Sequence, residues 1–175
     1  GDPLTVTALE LGAGTLVLAN SANTYTGTTL IRQGTLKLGA TNAIPRINDS
    51  NVVNLRLEDA VLDLNGYNEA LHRIVVLGGT IQTGTGQLEL TYSNSSFTST
   101  TANSTLIAGT VKMTPNWGYF TFEVSDGPKD IDVEVSAKLT GTASSAFYKD
   151  QPGTLLLSSS QSDFTANTII VRWPR

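Results

Sequence analysis

A chain of 175 residues that is 39% hydrophobic is long enough for one domain with a real core, and its formal net charge of −4, with scattered Lys and Arg, disfavours a nucleic-acid groove. Cysteine is absent, which excludes a disulfide scaffold and any thiolate metal site. Only 15% of the residues are charged, so the polar surface must come from Thr, Ser, Asn and Gly, residues that suit extended backbone and turns and suit helices poorly.

In chain order, strand-length runs ending in Gly, Asn, Asp or Pro are expected at Leu4–Leu11, Thr15–Leu18, Thr29–Ile31, Thr35–Leu38, Val52–Leu57 and Ala60–Leu64. They continue at Leu71–Leu77, Thr80–Gln82, Gln87–Thr91, Ser104–Ile107, Thr110–Met113 and Tyr119–Val124. The last are Ile131–Leu139, Thr154–Leu157 and Thr168–Val171. The stretch Asn68–Arg73 has helical spacing but is too short and too poorly capped to be assigned as a helix. No run of about 18 apolar residues is present to read as a transmembrane helix.

The runs echo one another. GTLVL at Gly14 returns as GTLKL at Gly34, AVLDL at Ala60, GGTIQ at Gly78, GQLEL at Gly86, GTVKM at Gly109 and GTLLL at Gly153. Laid on Gly14, the last copy keeps register beyond the strand: Phe164-Thr165 falls on Tyr25-Thr26 and Thr168 on Thr29. Such self-similarity signals stacked coils, in which each short strand pairs with the copies above and below it. With a side-chain period of two, Leu16 and Leu18, Leu36 and Leu38, Leu62 and Leu64, Leu88 and Leu90, and Leu155 and Leu157 become inward columns. Val17, Lys37, Asp63, Glu89 and Leu156 then face out. Asn20, Asn23, Asn42, Asn65 and Asn68 fall at corners, where Asn tolerates left-handed backbone and can bond a neighbouring corner. An antiparallel sandwich is the rival architecture, but it has no need to repeat one strand motif.

The stretch GAGTLVLANSANTYTGTTLIRQGTLKLG, then AVLDLNGYNEAL, then DQPGTLLLSSSQSDFTANTIIV, resembles the autotransporter-associated β-strand repeat, also called the passenger-associated transport repeat, of bacterial secreted proteins. Residues 12–39 follow that pattern closely; the copy at 153–171 is degenerate, with Phe164, Ala166 and Ser162 where the pattern has Tyr, Gly and Asn. The resemblance implies an all-β, right-handed parallel β-helix forming a single domain over residues 1–175, secreted or held at a bacterial surface as stalk or adhesive material. Residues 1–91 would form regular coils, 92–146 irregular coils or a protrusion, and 147–175 the degenerate second repeat with an open end.

Candidate chemistry is sparse. The single His72 has no His or Cys partner for a metal, and no Gly-x-Ser-x-Gly elbow exists for a nucleophile, so His72 reads as a strand-edge residue and no catalytic, cofactor or metal site is assigned. Asp130, Asp132 and Glu134 alternate with Ile131, Val133 and Val135, which would place three acids on one strand face. That stripe reads first as a solvated outer face, and second as a calcium or polysaccharide-cleaving cluster. Asn116-Trp117-Gly118-Tyr119-Phe120 is the most aromatic patch. It reads as a buried plug over a coil or, with Trp117 and Tyr119 as contacts, as a platform for host or matrix glycans.

The first residue is Gly1 rather than Met, which reads as a processed product or a piece of a longer protein. Trp173-Pro174-Arg175 stands where the repeat expects another Gly-Thr-Leu strand. The expectation is strand addition between copies, in which Leu4, Val6, Leu9 and Leu11 of one molecule complete the end formed by Ile169, Val171 and Trp173 of the next, giving a head-to-tail homopolymer. The function expected is therefore a non-enzymatic structural subunit or adhesin stalk, with a glycan-binding module and a polysaccharide-active enzyme as alternatives.

Overall fold

In the computed structural model, residues 9–141 and 146–163 are described in full and residues 167–170 in their backbone. Among the described residues there are seventeen strands and no helix. The strands are β1 (Leu9–Leu11), β2 (Thr15–Leu18), β3 (Thr29–Ile31), β4 (Thr35–Leu38), β5 (Leu55–Asp63), β6 (Glu69–Leu71), β7 (Ile74–Gln82), β8 (Leu88–Leu90) and β9 (Asn94–Thr98). They continue with β10 (Thr105–Ala108), β11 (Thr110–Met113), β12 (Tyr119–Val124), β13 (Val133–Val135), β14 (Lys138–Gly141), β15 (Ala146–Asp150), β16 (Leu155–Leu157) and β17 (Asn167–Ile170).

Every strand pairing is parallel, and each strand pairs with strands one turn of the chain before and after it, so the molecule is a β-solenoid. Three walls result. The first runs β1-β3-β5-β7-β9-β12-β15-β17. The second stacks β2, β4, the C-terminal half of β5, the C-terminal half of β7, β10, β13 and β16. The third is β6-β8-β11-β14. β5 and β7 each serve two walls, because the chain bends at Asp59, with φ of 46°, and Gly78, with φ of 69°, without ending the strand.

Alternation decides the interior. Leu36, Leu38, Leu62, Leu64, Leu88 and Leu90 are completely buried, and Leu16 and Leu155 are partly buried against them. Leu157, expected inward, is 41% exposed, because β16 pairs on one side only, with β13. Lys37 and Asp63, which share a register position on β4 and β5, form an ion pair on the outside, and Val17 is 53% exposed. The repeated motifs do not, however, build one continuous leucine file. Leu36 pairs with Leu62 on the second wall, whereas Leu88 pairs with Glu69 and Val111 on the third.

The last echo is also displaced. Following the ladders from Leu16 through Leu36, Leu62, Ile81, Ile107 and Val135 leads to Leu157, not to the Leu155 that sequence alignment matches to Leu16. A slide of two residues leaves every side chain on its own face, so burial does not oppose it.

Residues 92–146 stack as further coils wherever they are described: β9, β12 and β15 extend the first wall, β10 and β13 the second, β11 and β14 the third. Phenylalanine replaces leucine in this part of the core. Phe97 and Phe122 stack with centroids 4.6 Å apart, and Phe147 lies 5.3 Å from Phe122. Sequence reading passes over β9 and β15. β9, Asn-Ser-Ser-Phe-Thr, turns only Ser95 and Phe97 inward and so lacks an apolar alternation. β6 replaces the helical spacing at Asn68–Arg73.

Corner asparagines bind across turns as expected. Asn42 Oδ1 accepts from the Ala70 amide, Asn68 Oδ1 from the Gln87 amide, and Asn65 Nδ2 donates to the Leu38 carbonyl. Left-handed backbone occurs at Asn42 and Asn65 but not at Asn20, Asn23 or Asn68. There the side chain alone makes the corner: Asn23 Nδ2 donates to the carbonyls of Asn20 and Ala43.

Candidate functional site: an aromatic corner

At the corner where the third wall passes into the first, aromatic side chains recur on successive turns. His72 follows β6, Tyr92 follows β8, Trp117 follows β11, Tyr119 opens β12 and Tyr148 lies in β15. Their rings form a chain. Centroid separations are 4.6 Å for His72–Tyr92, 6.4 Å for Tyr92–Trp117, 6.4 Å for Trp117–Tyr119 and 5.7 Å for Tyr119–Tyr148.

Trp117 is 63% exposed, whereas Phe120, three residues later, is fully buried. The plug reading therefore fails for Trp117 and holds for Phe120. A large ring standing in water needs a rigid mount to be useful, and the turn that carries it is tied down. The Thr114 amide donates to the Leu90 carbonyl and the Asn116 amide to the Thr91 carbonyl. Thr114 Oγ1 donates to Glu89, and Ser93 Oγ to Asn116 Oδ1.

Two clefts flank the row. The larger, about 480 Å³, is walled by His72, Tyr92 and Trp117 and edged by Arg46, Asn48, Ser50, Thr91, Thr114 and Asn116. The smaller, about 300 Å³, is lined by Asn94, Tyr119, Thr121, Tyr148 and Asp150. The Arg46–Ser50 rim is held by Asn54, which is completely buried. Its Oδ1 accepts from the amides of Ile47 and His72, and its Nδ2 donates to the Pro45 carbonyl.

His72 stands directly after the end of β6 and is buried. Thr91 Oγ1 lies 3.2 Å from both the Leu71 carbonyl oxygen and His72 Nδ1, tying the ring to the next turn. Burial, and then the positive charge of Arg46, pull the His72 pKa below its ordinary value, with Asp49 opposing. Among the described residues Asp150 is the only carboxylate lining either cleft.

The acidic stripe does not exist as one face. Asp132 is completely buried while Asp130 is exposed, because the strand begins only at Val133 and Asp132 belongs to the preceding corner. Its carboxylate accepts from Ser99 Oγ at 2.5 Å, from the Gly127 amide at 2.9 Å and from the Thr154 amide at 2.9 Å. Among the described residues no cluster of three His, Cys, Asp or Glu is arranged to hold a metal.

Of the residues expected at the chain ends, Leu4, Val6, Val171 and Trp173 lie outside the described residues. Leu9 and Leu11 stand in β1, paired with β3 and packed against the core, and Ile169 stands in β17 opposite Tyr148. Trp117 and Tyr119 are adjacent in the row. Sequence reading missed His72, Tyr92, Tyr148 and Arg46 as their neighbours; the available signal was an aromatic residue at the same corner of consecutive turns.

The family model described as Passenger-associated-transport-repeat matches residues 11–38, the segment from β1 to the end of β4. Neither a curated protein nor a solved structure matches the chain. Residues 11–38 thus match the passenger-associated-transport repeat, and the chain that continues from them is a β-solenoid of parallel turns.

Proposed function

We propose that this chain is a structural segment of a secreted or surface-displayed bacterial passenger protein, a stiff β-solenoid that extends as a stalk and propagates by stacking turn on turn. The observation that carries the reading is the unbroken parallel ladder of the first wall, β1 through β17, around a filled core. Parallel ladders transmit load along the axis through hydrogen bonds shared by every turn, and their ends are templates for further strands. Ion pairs between adjacent turns add register on the outside: Arg32 bridges Glu10 and Glu58 at 2.7 and 2.9 Å.

End-to-end assembly of copies belongs to the same proposal. Negative-stain imaging of the purified chain over a range of concentrations tests it. Filaments of solenoid width that disappear when residues 1–11 are deleted support strand addition between copies. Single particles at every concentration, or filaments indifferent to the deletion, overturn assembly through these ends.

A further inference from the structure

We propose that the aromatic corner is a carbohydrate-binding site for a linear polysaccharide that lies along the solenoid axis, with a carboxylated sugar in the larger cleft against Arg46. A sugar ring has apolar faces and a polar rim. The site has the matching alternation: Tyr92 on one turn and Trp117 with Tyr119 on the next offer aromatic rings, and Asn48, Thr114 and Asn116 supply donors and acceptors beside them. Because the whole row from His72 through Tyr92 and the Trp117–Tyr119 pair to Tyr148 crosses successive turns, the occupant is extended along the axis.

Charge selects among polysaccharides. Among the described residues Arg46, which is exposed, is the only cation lining the larger cleft and makes no salt bridge. Beside it the His72 ring lines the same cleft. A guanidinium open on one side of a stacking wall is matched by a sugar carboxylate, which it can grip through two parallel hydrogen bonds. The smaller cleft is lined by Asp150 and by no cation among the described residues, so the carboxylate is gripped in the larger cleft. A nucleic-acid strand would also stack on aromatic rings, but one arginine on a chain of net charge −4 does not form a phosphate track.

The test is titration of the whole chain with an oligogalacturonate hexamer and with cellohexaose, read by calorimetry and by tryptophan emission. A Trp173→Phe background leaves Trp117 as the sole emitter. Expected are saturable binding of the oligogalacturonate with a change in Trp117 emission, weaker binding of cellohexaose, and loss of about tenfold in affinity for both in Trp117→Ala, the scale of one stacked ring. Trp117→Phe retains most of the affinity. Arg46→Gln lowers oligogalacturonate affinity to the cellohexaose level and leaves cellohexaose unchanged, and added salt reproduces that loss in the parent chain. Both positions are exposed, so the variants keep the parent melting temperature. Absence of saturable binding to either sugar, or binding indifferent to Trp117→Ala, overturns the site. Equal losses for both sugars in Arg46→Gln overturn the carboxylate assignment.

Discussion

Ser99 and Asp132, 33 positions apart in the chain, meet at 2.5 Å with the Asp132 carboxylate completely buried. That carboxylate gathers a hydroxyl and two backbone amides at the corner leading into the second wall, where amides would otherwise lack partners. Asp132→Ala is expected to cost about 3 kcal/mol, since it strands several buried donors. Asp132→Asn should lose nearly as much, because its amide presents N–H to a backbone N–H. Urea denaturation midpoints measure both; a change within error in either variant removes the carboxylate as the corner's organiser.

Within residues 11–38, the segment that matches the family model, three glycines separate conformational strain from steric contact. A Cβ on Gly12 meets nothing within 4 Å. On Gly14 it also meets nothing, but the backbone has φ of 94°. On Gly34, with φ of 74°, it would lie 2.2 Å from the Gly14 carbonyl oxygen of the turn below. Alanine should therefore be neutral to about 0.5 kcal/mol at Gly12, cost about 1–2 kcal/mol at Gly14, and cost more than either at Gly34. Thermal melts of the three variants check the order.

Phe122 sits between Phe97 and Phe147 in the core of the later turns. Phe122→Ala removes the middle ring and should destabilise by about 3–5 kcal/mol, with Phe122→Leu much milder. Hydrogen exchange should show protection lost first in β9, β12 and β15. Uniform loss from β1 onward would instead indicate a single cooperative unit in which this cluster has no local role.

Glu69 is 1% exposed, and burial raises its pKa from 4.5 to about 8 despite the Ile44 amide bonded to its carboxylate. Its Oε1 has no hydrogen-bond partner. A raised carboxyl pKa means that the unfolded chain ionises first, so this group's contribution is full below about pH 4.5 and is lost as pH rises toward about 8. His72, lowered by burial, acts in the opposite sense, losing stability as pH falls through its unfolded pKa. The difference between the parent and Glu69→Gln isolates Glu69: the variant should gain relative stability steadily from pH 5 to pH 8. A difference that is flat across that window shows that Glu69 stays ionised in the fold.

The repetition of Gly-Thr-Leu strands, the inward leucines and the corner asparagines were all legible in the chain, because each depends on a local property: strand period, glycine backbone freedom, or the reach of an Asn side chain. The same rules assign inside and outside without saying which wall a strand joins. Leu88 and Val111 stand on the third wall, and Leu157 rather than Leu155 follows Leu16, because a ladder can slide by two residues without turning any side chain over. Asp132 faces in because the Ser99 hydroxyl and the Thr154 amide on other turns, with the Gly127 amide of its own corner, offer it three donors, two of which the alternating segment by itself does not reveal. The aromatic corner has the same origin. His72, Tyr92, Trp117 and Tyr148 are remote in sequence and adjacent only after each turn closes, so their proximity is a product of stacking, whereas the apolar alternation that drives the stacking is written in every strand.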